Sequence, residues 1–191
     1  MIIGILGSPS TGKTTTARSL AGMLSTQTDK HVEYVDEFAT HFINKYKKYL
    51  KNGFPSIEDQ YLFINKQLKK ESDSSADIII TDSPIFLSLI YAQRVYNKKN
   101  IKEQFYYNEI QNICLEHINR YAYLFYCPIG VVKIQKKKNR LHDNPGMLKE
   151  IDNQIKGYLN LHCIKYVELP ESEIEIRIKK IVESIDCARD D

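Results

Sequence analysis

The stretch Gly7–Thr14 carries the residue types and the spacing that hold a polyphosphate. It reads GSPSTGKT and fits the Walker A pattern G-x-x-x-x-G-K-[ST]. Glycines let successive backbone N–H groups turn toward phosphate oxygens, Lys13 reaches the β- and γ-phosphates, and the Thr14 hydroxyl binds Mg²⁺. We therefore expect a nucleotide polyphosphate and Mg²⁺ to be held by Gly7, Ser8, Pro9, Ser10, Thr11, Gly12, Lys13, Thr14 and Thr15.

A second acidic position is typical of metal-assisted phosphate chemistry. Asp82 closes the apolar run Ile78–Thr81. A carboxylate at the end of such a strand can hold Mg²⁺ opposite Thr14, directly or through water. An acid that only starts a turn or caps a helix is the alternative, and the upstream Walker A motif favours the metal role.

A third candidate is the acidic pair Asp36-Glu37, which follows the apolar run ending at Val35. A carboxylate in this region can orient the hydroxyl of an acceptor and take its proton. Two adjacent acids can also do no more than cap a helix. We expect at least one of them to contact substrate, together with Phe38, and we favour Asp36 as the catalytic carboxylate that orients the acceptor and takes its proton.

Basic residues are concentrated in two stretches. Lys133–Arg140 holds five basic residues in eight and lies between a predicted strand and a predicted helix, where nucleotide kinases carry a lid, here about 130–146. Arg140 would clamp phosphoryl oxygens with its planar guanidinium, although a solvated loop is the plainer alternative. Lys45–Lys51 alternates lysines with aromatics and could follow a nucleic-acid backbone, but the polar face of a helix explains it better.

The hydrophobic pattern predicts the elements that position these residues. Short apolar runs predict strands over 1–6, 31–35, 78–81, 123–127 and 164–169. The segments between these runs carry apolar residues at helical spacing, which predicts helices. Strands that alternate with helices indicate an α/β fold with a largely parallel five-stranded sheet and helices on both faces. Such sheets bind ligands beyond the carboxyl ends of their strands, so we expect the phosphate loop, Asp36-Glu37 and Asp82 to emerge at one edge.

Composition limits the class of protein. The length of 191 residues predicts one domain over 1–191, and a net charge of +3 does not by itself require nucleic acid. Apolar runs of transmembrane length and a signal peptide are both absent from the sequence, which predicts a soluble cytoplasmic protein with no membrane partner. The four cysteines are widely spaced, as is typical of reduced, packed thiols, and the histidine spacing does not suggest zinc.

Together these residues resemble the P-loop kinases of the AAA_28 and nicotinamide-riboside-kinase-like grouping, which have a three-layer P-loop NTPase fold. Gly7–Thr14 matches the phosphate loop, Asp36–Thr40 an acid-aromatic segment, Gln67 a glutamine of the third helix, and Ile80–Ser83 the second acidic motif. The resemblance implies ATP, Mg²⁺ and a small nucleoside-like or nucleotide-like acceptor. Thr40 departs from the arginine that is common in the family.

Two alternatives to that function stay open. Some relatives phosphorylate a hydroxymethylated base within DNA, such as 5-hydroxymethyluracil, and a DNA acceptor would give the lysine clusters a purpose. A P-loop NTPase that acts as a switch, without transferring phosphate to an acceptor, belongs to a different class. The guanine-specific motif NKxD of regulatory GTPases is not present in the sequence.

Overall fold

A computed structural model describes residues 1–46, 48, 50, 55–130 and 145–187 of the chain. Strands and helices alternate along it as the hydrophobic pattern predicts. The elements are β1 (Ile2–Leu6), α1 (Lys13–Gln27), β2 (Val32–Val35), α2 (Phe38–Tyr46), α3 (Ile57–Asp73), β3 (Ile78–Thr81), α4 (Phe86–Val95), α5 (Ile101–His117), β4 (Tyr123–Tyr126), α6 (Pro145–Leu161), β5 (Val167–Glu168) and α7 (Ile174–Cys187).

The strands form one parallel sheet in the order β2-β3-β1-β4-β5. The central strand β1 pairs Ile3 with Ile80 of β3 on one side and Ile5 with Phe125 of β4 on the other. The isoleucine-rich runs that form β1 and β3 are buried almost throughout, as parallel strands covered on both faces must be. The predicted fold class is confirmed.

Helices cover both faces of the sheet. On one face, Ile3 and Ile5 pack in a single apolar cluster with residues of α1 and α7, including Leu20 and Ile181. On the other face, the Tyr126 hydroxyl donates a hydrogen bond to Asp152 of α6. These contacts complete three layers, with α1 and α7 below the sheet and α6 above it.

Strand β5 is shorter than the predicted run 164–169, because its first residues end helix α6 instead. Cys163 has φ 51°, and the N–H groups of Cys163 and Ile164 donate to the carbonyls of Asn160 and Leu159. This pairing of bonds is the Schellman motif, which satisfies the last carbonyls of a helix. The prediction that β5 begins at Ile164 is therefore wrong.

The described residues group into two compact units. The sheet unit comprises the described residues of Met1–Val35, Ala76–Asp82 and Tyr121–Asp191, and the helical unit comprises those of Asp36–Ser75 and Ser83–Arg120. In the helical unit α3 begins with a capping box, in which the side chains of Ser56 and Asp59 bond each other's backbone N–H groups.

The basic stretches fall largely outside this description. Lys133–Arg140, with the candidate Arg140 and most of the predicted lid, lies outside the described residues, and so do three positions of Lys45–Lys51. Throughout the part of the chain that is described, every helix is too short or too polar to cross a bilayer.

Candidate functional site

Two glycines give the phosphate loop a backbone path that other residues would resist. Gly7 has φ 143°, and a Cβ there would lie 2.4 Å from the carbonyl oxygen of Cys127. Gly12 has φ 89° and precedes α1 as its N-cap without a side-chain hydrogen bond. The first N–H groups of α1 therefore lack a side-chain cap, and this arrangement, together with the helix dipole, favours an anion.

Side chains of the loop close it on itself. The Thr11 hydroxyl and the Lys13 ammonium both donate to the carbonyl oxygen of Ser8, each at 2.9 Å. Ser10 adopts a positive φ of 68°, which a side chain rarely does outside a constrained turn. The structure thus brings the predicted phosphate-binding residues, Pro9 and Thr15 included, into one loop and the first turn of α1.

A buried arginine supports the loop from the C-terminal helix. Arg177 of α7 is 1 % exposed, and its Nη1 donates to the carbonyl oxygen of Thr11 at 2.7 Å. Its Nε donates to the carbonyl oxygen of Pro170 at 3.1 Å. The guanidinium therefore ties the phosphate loop to the turn that follows β5.

Thr14 and Asp82 meet at the start of α1. The Thr14 hydroxyl donates to Oδ2 of Asp82, while Oδ1 is buried without a hydrogen-bond partner among the described residues. A buried carboxylate oxygen without a partner is costly, and a cation would relieve that cost. A hydroxyl beside a carboxylate is also the oxygen donor set that Mg²⁺ takes beside phosphates, so these residues fit the metal that the motif implies.

Tyr34 lies close to Asp82, one of the two residues that fit the metal. Burial raises the pKa of its phenol, and the nearby Asp82 carboxylate raises it further, while the Arg18 guanidinium, 5.3 Å from the ring, acts in the opposite sense. The phenol therefore stays protonated at neutral pH. A neutral tyrosine adds no further negative charge beside Asp82.

Asp36 of the helical unit is held by two cationic or proton-donating neighbours. Its carboxylate contacts the Lys70 ammonium and the His41 imidazole, and Lys70 also donates to its backbone oxygen at 3.1 Å. Burial favours the neutral acid, but the hydrogen bonds from Lys70 and His41 outweigh it and lower the pKa of Asp36. A carboxylate held in this way is a weak proton acceptor.

Glu37 has different surroundings. Its carboxylate accepts the Thr40 hydroxyl, and the residue lines a cleft within the helical unit. The cleft lining combines a carboxylate, two amides, hydroxyls and rings, and comprises Glu37, Ala39, Gln60, Phe63, Gln67, Ser83, Leu87, Ser88 and Tyr91. Glu37 and Ser83 come two residues after the ends of β2 and β3 in the chain.

The amide of Gln67 in this cleft has a fixed orientation. Its oxygen accepts the Phe38 N–H at 3.2 Å, and its nitrogen donates to Glu71 at 3.4 Å. Glu71 is buried and pairs with Arg120 at 3.2 Å. Because a carboxylate paired with arginine accepts hydrogen bonds only, Gln67 must present its NH₂ group to Glu71 and its oxygen to Phe38.

Gln60 lies about two helical turns before Gln67 on α3. It is 5 % exposed and lines the cleft. Its side-chain amide carries two N–H donors and an oxygen acceptor, which suit the edge of a polar ring in the cleft. Tyr91 borders the same cleft. Burial raises the pKa of its phenol, and the charge of Glu37 raises that pKa further, so the phenol stays neutral.

Sequence patterns predict some of these residues and miss others. Gly7–Thr15 and Asp82 come together in the sheet unit, and Asp36, Glu37 and Phe38 lie in the helical unit. The pattern did not indicate Gln60, Glu71 or Arg177. A polar residue at a core-facing position of an amphipathic helix was the available signal, since all three fall on the buried faces of α3 or α7.

A family model described as AAA domain, AAA_28, matches residues 2–177. None of the curated proteins matches the sequence.

Solved structures of similar fold include three that are 14–18 % identical to the chain. Deoxyadenosine kinase from M. mycoides, with the products dCMP and a flexible dCDP bound, has a TM-score of 0.67 at 16 % identity, over 98 % of this chain and 100 % of that one. NadR in complex with NR has a TM-score of 0.71 at 18 % identity over 90 % of this chain and 46 % of NadR. Thymidylate kinase from Ehrlichia chaffeensis has a TM-score of 0.65 at 14 % identity, over 97 % of this chain and 98 % of that one.

Proposed function

This chain belongs to the AAA_28 family, and we propose that it is a kinase that transfers the γ-phosphoryl group of ATP to a hydroxyl of a nucleoside-like or nucleotide-like acceptor. The observation that carries the proposal is the contact of Thr14 with Asp82 at the end of a complete Walker A loop. The solved structures of similar fold add support, because two of them are kinases of nucleosides or nucleotides.

The donor nucleotide would bind at the phosphate loop of the sheet unit. Lys13 would exchange its bond to the Ser8 carbonyl for the β- and γ-phosphates, and the N–H groups at the start of α1 would receive further phosphate oxygens. Thr14 and Asp82 would hold Mg²⁺. When bound, Mg²⁺ supplies positive charge that offsets the charge on the phosphates.

The acceptor would bind in the cleft of the helical unit. A flat ring with hydrogen-bonding groups along its edge matches Phe63 and Tyr91 for contact and the amides of Gln60 and Gln67 for recognition. A nucleobase has both properties. Phe38 would support this cleft through its ring, which contacts Phe63 at 6.0 Å between centroids.

Of the two adjacent acids, Glu37 is our proposed proton acceptor. Asp36, which the sequence favoured, is paired with Lys70 and His41, whereas Glu37 borders the cleft. Glu37 would take the proton of the acceptor hydroxyl while the oxygen of that hydroxyl forms a bond to the γ-phosphorus. The bond from that phosphorus to the bridging oxygen of ATP breaks, and ADP leaves with the electron pair. Asp36 would then act by fixing the turn that carries Glu37, and Arg140 of the lid stays our proposed clamp on the transferring group.

Transfer of labelled γ-phosphate from ATP to a panel of acceptors tests the proposal. The panel contains ribo- and deoxyribonucleosides, their monophosphates, and duplex DNA with 5-hydroxymethyluracil. We expect label in a nucleoside or a nucleotide and none in the DNA. Label in DNA alone would show that the acceptor is DNA and not a small molecule. ATP hydrolysis that no acceptor accelerates would favour an NTPase switch. An ATP-dependent enzyme with four free cysteines suits the cytoplasm, where we propose that it acts.

A further inference from the structure

Arg177 is a buried cation without a carboxylate partner among the described residues. It is the largest of the fully buried side chains, and it forms no ion pair with any described acidic residue. Two of its nitrogens donate to the backbone carbonyls of Thr11 and Pro170. Nη2 is buried and has no hydrogen-bond partner in the described part of the chain. Carbonyl dipoles offset a buried charge only partly, so the guanidinium is under-compensated.

The charge of Arg177 lies directly behind the phosphate loop. Gly12 makes the close approach possible, because a Cβ at that residue would lie 3.1 Å from Nη1. The charge also reaches the neighbourhood of the loop: burial raises the pKa of the Cys127 thiol, and Arg177 and Lys13 both act to lower it. Arg177 and Lys13 are thus two positive charges that act on one small region of the sheet unit.

We infer that Arg177 is a fixed cation of the phosphate site, which holds the Thr11 carbonyl from behind the loop and attracts a bound polyphosphate through its charge. It is a positioning residue, since the Thr11–Gly12 backbone stands between it and the loop's binding side. An anion in the loop supplies the negative charge that the guanidinium lacks in the protein. The inference rests on the proposed function only in requiring that the loop bind a polyphosphate.

Two consequences separate this role from simple packing. Loss of the charge lowers polyphosphate affinity, and the loss is larger for triphosphate than for monophosphate because more anionic charge interacts with the cation. Restoring the charge without the planar guanidinium recovers part of the affinity. A residue that acted only by filling space would give equal losses with lysine and methionine, which have similar lengths.

The test measures the binding of ATP, AMP and inorganic triphosphate, each with Mg²⁺, to the 191-residue chain by titration calorimetry. The variants are Arg177→Met, Arg177→Lys and, as a matched control, Lys180→Met, which removes a charge from an exposed position of the same helix. We expect Arg177→Met to weaken ATP and triphosphate by about 10- to 100-fold, the range for a lost charged hydrogen bond. Arg177→Lys is expected to lose less, and Lys180→Met close to nothing.

Unfolding temperatures with and without ATP provide a second readout. Stabilisation by a ligand depends on its affinity, so the ATP-induced shift is expected to shrink in the order wild type, Arg177→Lys, Arg177→Met. If Arg177→Met does not fold, the comparison of Arg177→Lys with Lys180→Met decides. ATP affinity in Arg177→Lys equal to that of wild type and Lys180→Met would then overturn the inference. Where Arg177→Met does fold, equal losses of ATP affinity for lysine and methionine would overturn it. A wild-type protein that binds no polyphosphate would instead overturn the proposed function.

Discussion

The hydroxyl of Thr14 donates a hydrogen bond to Oδ2 of Asp82 across 68 positions of sequence. Parallel pairing of β1 with β3 makes this contact possible, because it brings the ends of both strands to one edge of the sheet. The second oxygen of the carboxylate is buried without a partner among the described residues. A hydroxyl, a carboxylate and a phosphate loop therefore meet where a metal–nucleotide complex is expected to bind.

Asp82→Asn is expected to weaken the Mg²⁺ dependence of activity. The amide offers one neutral oxygen in place of the carboxylate charge, so the Mg²⁺ concentration for half-maximal turnover should rise about 10- to 100-fold. A Mg²⁺ titration of ADP formation measures it. Asp152→Asn is the matched control, since Asp152 also accepts a hydroxyl but lies on α6. An unchanged Mg²⁺ requirement in Asp82→Asn would exclude Asp82 as a metal ligand.

Replacement of the two adjacent acids should separate their roles. Glu37→Gln is expected to depress phosphoryl transfer by about 10²–10⁴-fold while ATP affinity stays near the wild-type value, because a proton acceptor is lost. Asp36→Asn is expected to cost less, since its carboxylate is held by Lys70 and His41. Single-turnover rates with saturating ATP measure both. A larger loss for Asp36→Asn would return the catalytic role to Asp36.

Arg120→Met is expected to destabilise the fold by about 3 kcal/mol, because it leaves the buried Glu71 carboxylate without its cation. Urea unfolding measures the change. Lys69→Met breaks an exposed pair with Asp73 and should cost less than about 1 kcal/mol. Adding Glu71→Gln to Arg120→Met should recover part of the loss. Equal losses of stability in Arg120→Met and Lys69→Met would contradict the importance of the Arg120–Glu71 pair.

Asp36 should give stability a pH dependence of defined sign. Burial opposes its charge, but hydrogen bonds from Lys70 and His41 lower its pKa below the ordinary value. A lowered folded pKa stabilises the protein above about pH 4, and the stabilisation is lost as the pH falls through that lowered value. The stability gap between wild type and Asp36→Asn should therefore shrink below about pH 4 in urea unfolding. A gap of constant size down to pH 3 would contradict this account.

The alternation of apolar runs, the Walker A motif and Asp82 made most of the sheet unit predictable. Each depends on local pattern: β-branched runs for strands, glycines for the loop, and an acid at the end of a strand. The start of β5 was not predictable in this way. Ile164 has the side chain of a strand residue, but the left-handed turn at Cys163 uses it to end α6.

Buried polar residues were the harder part of the site. Glu71 and Arg177 are charged, and a charged residue in an amphipathic helix is normally solvated. Their burial depends on partners far away in sequence, Arg120 for Glu71 and the Thr11 carbonyl for Arg177. The choice between Asp36 and Glu37 likewise depends on Lys70 and His41, which no spacing rule connects to Asp36. Tertiary contacts, rather than local pattern, decide these roles.

Acceptor-dependent ADP formation by wild type and by Lys13→Ala tests the central claim most directly. Lys13 is partly exposed, so its removal should leave the unfolding temperature close to that of wild type. The account predicts that the acceptor accelerates ADP formation in wild type, and that Lys13→Ala retains less than about a tenth of that rate, because its charge stabilises the transferring phosphoryl group. A folded Lys13→Ala protein that keeps the full acceptor-dependent rate would contradict the assignment of the phosphate loop as the site of transfer.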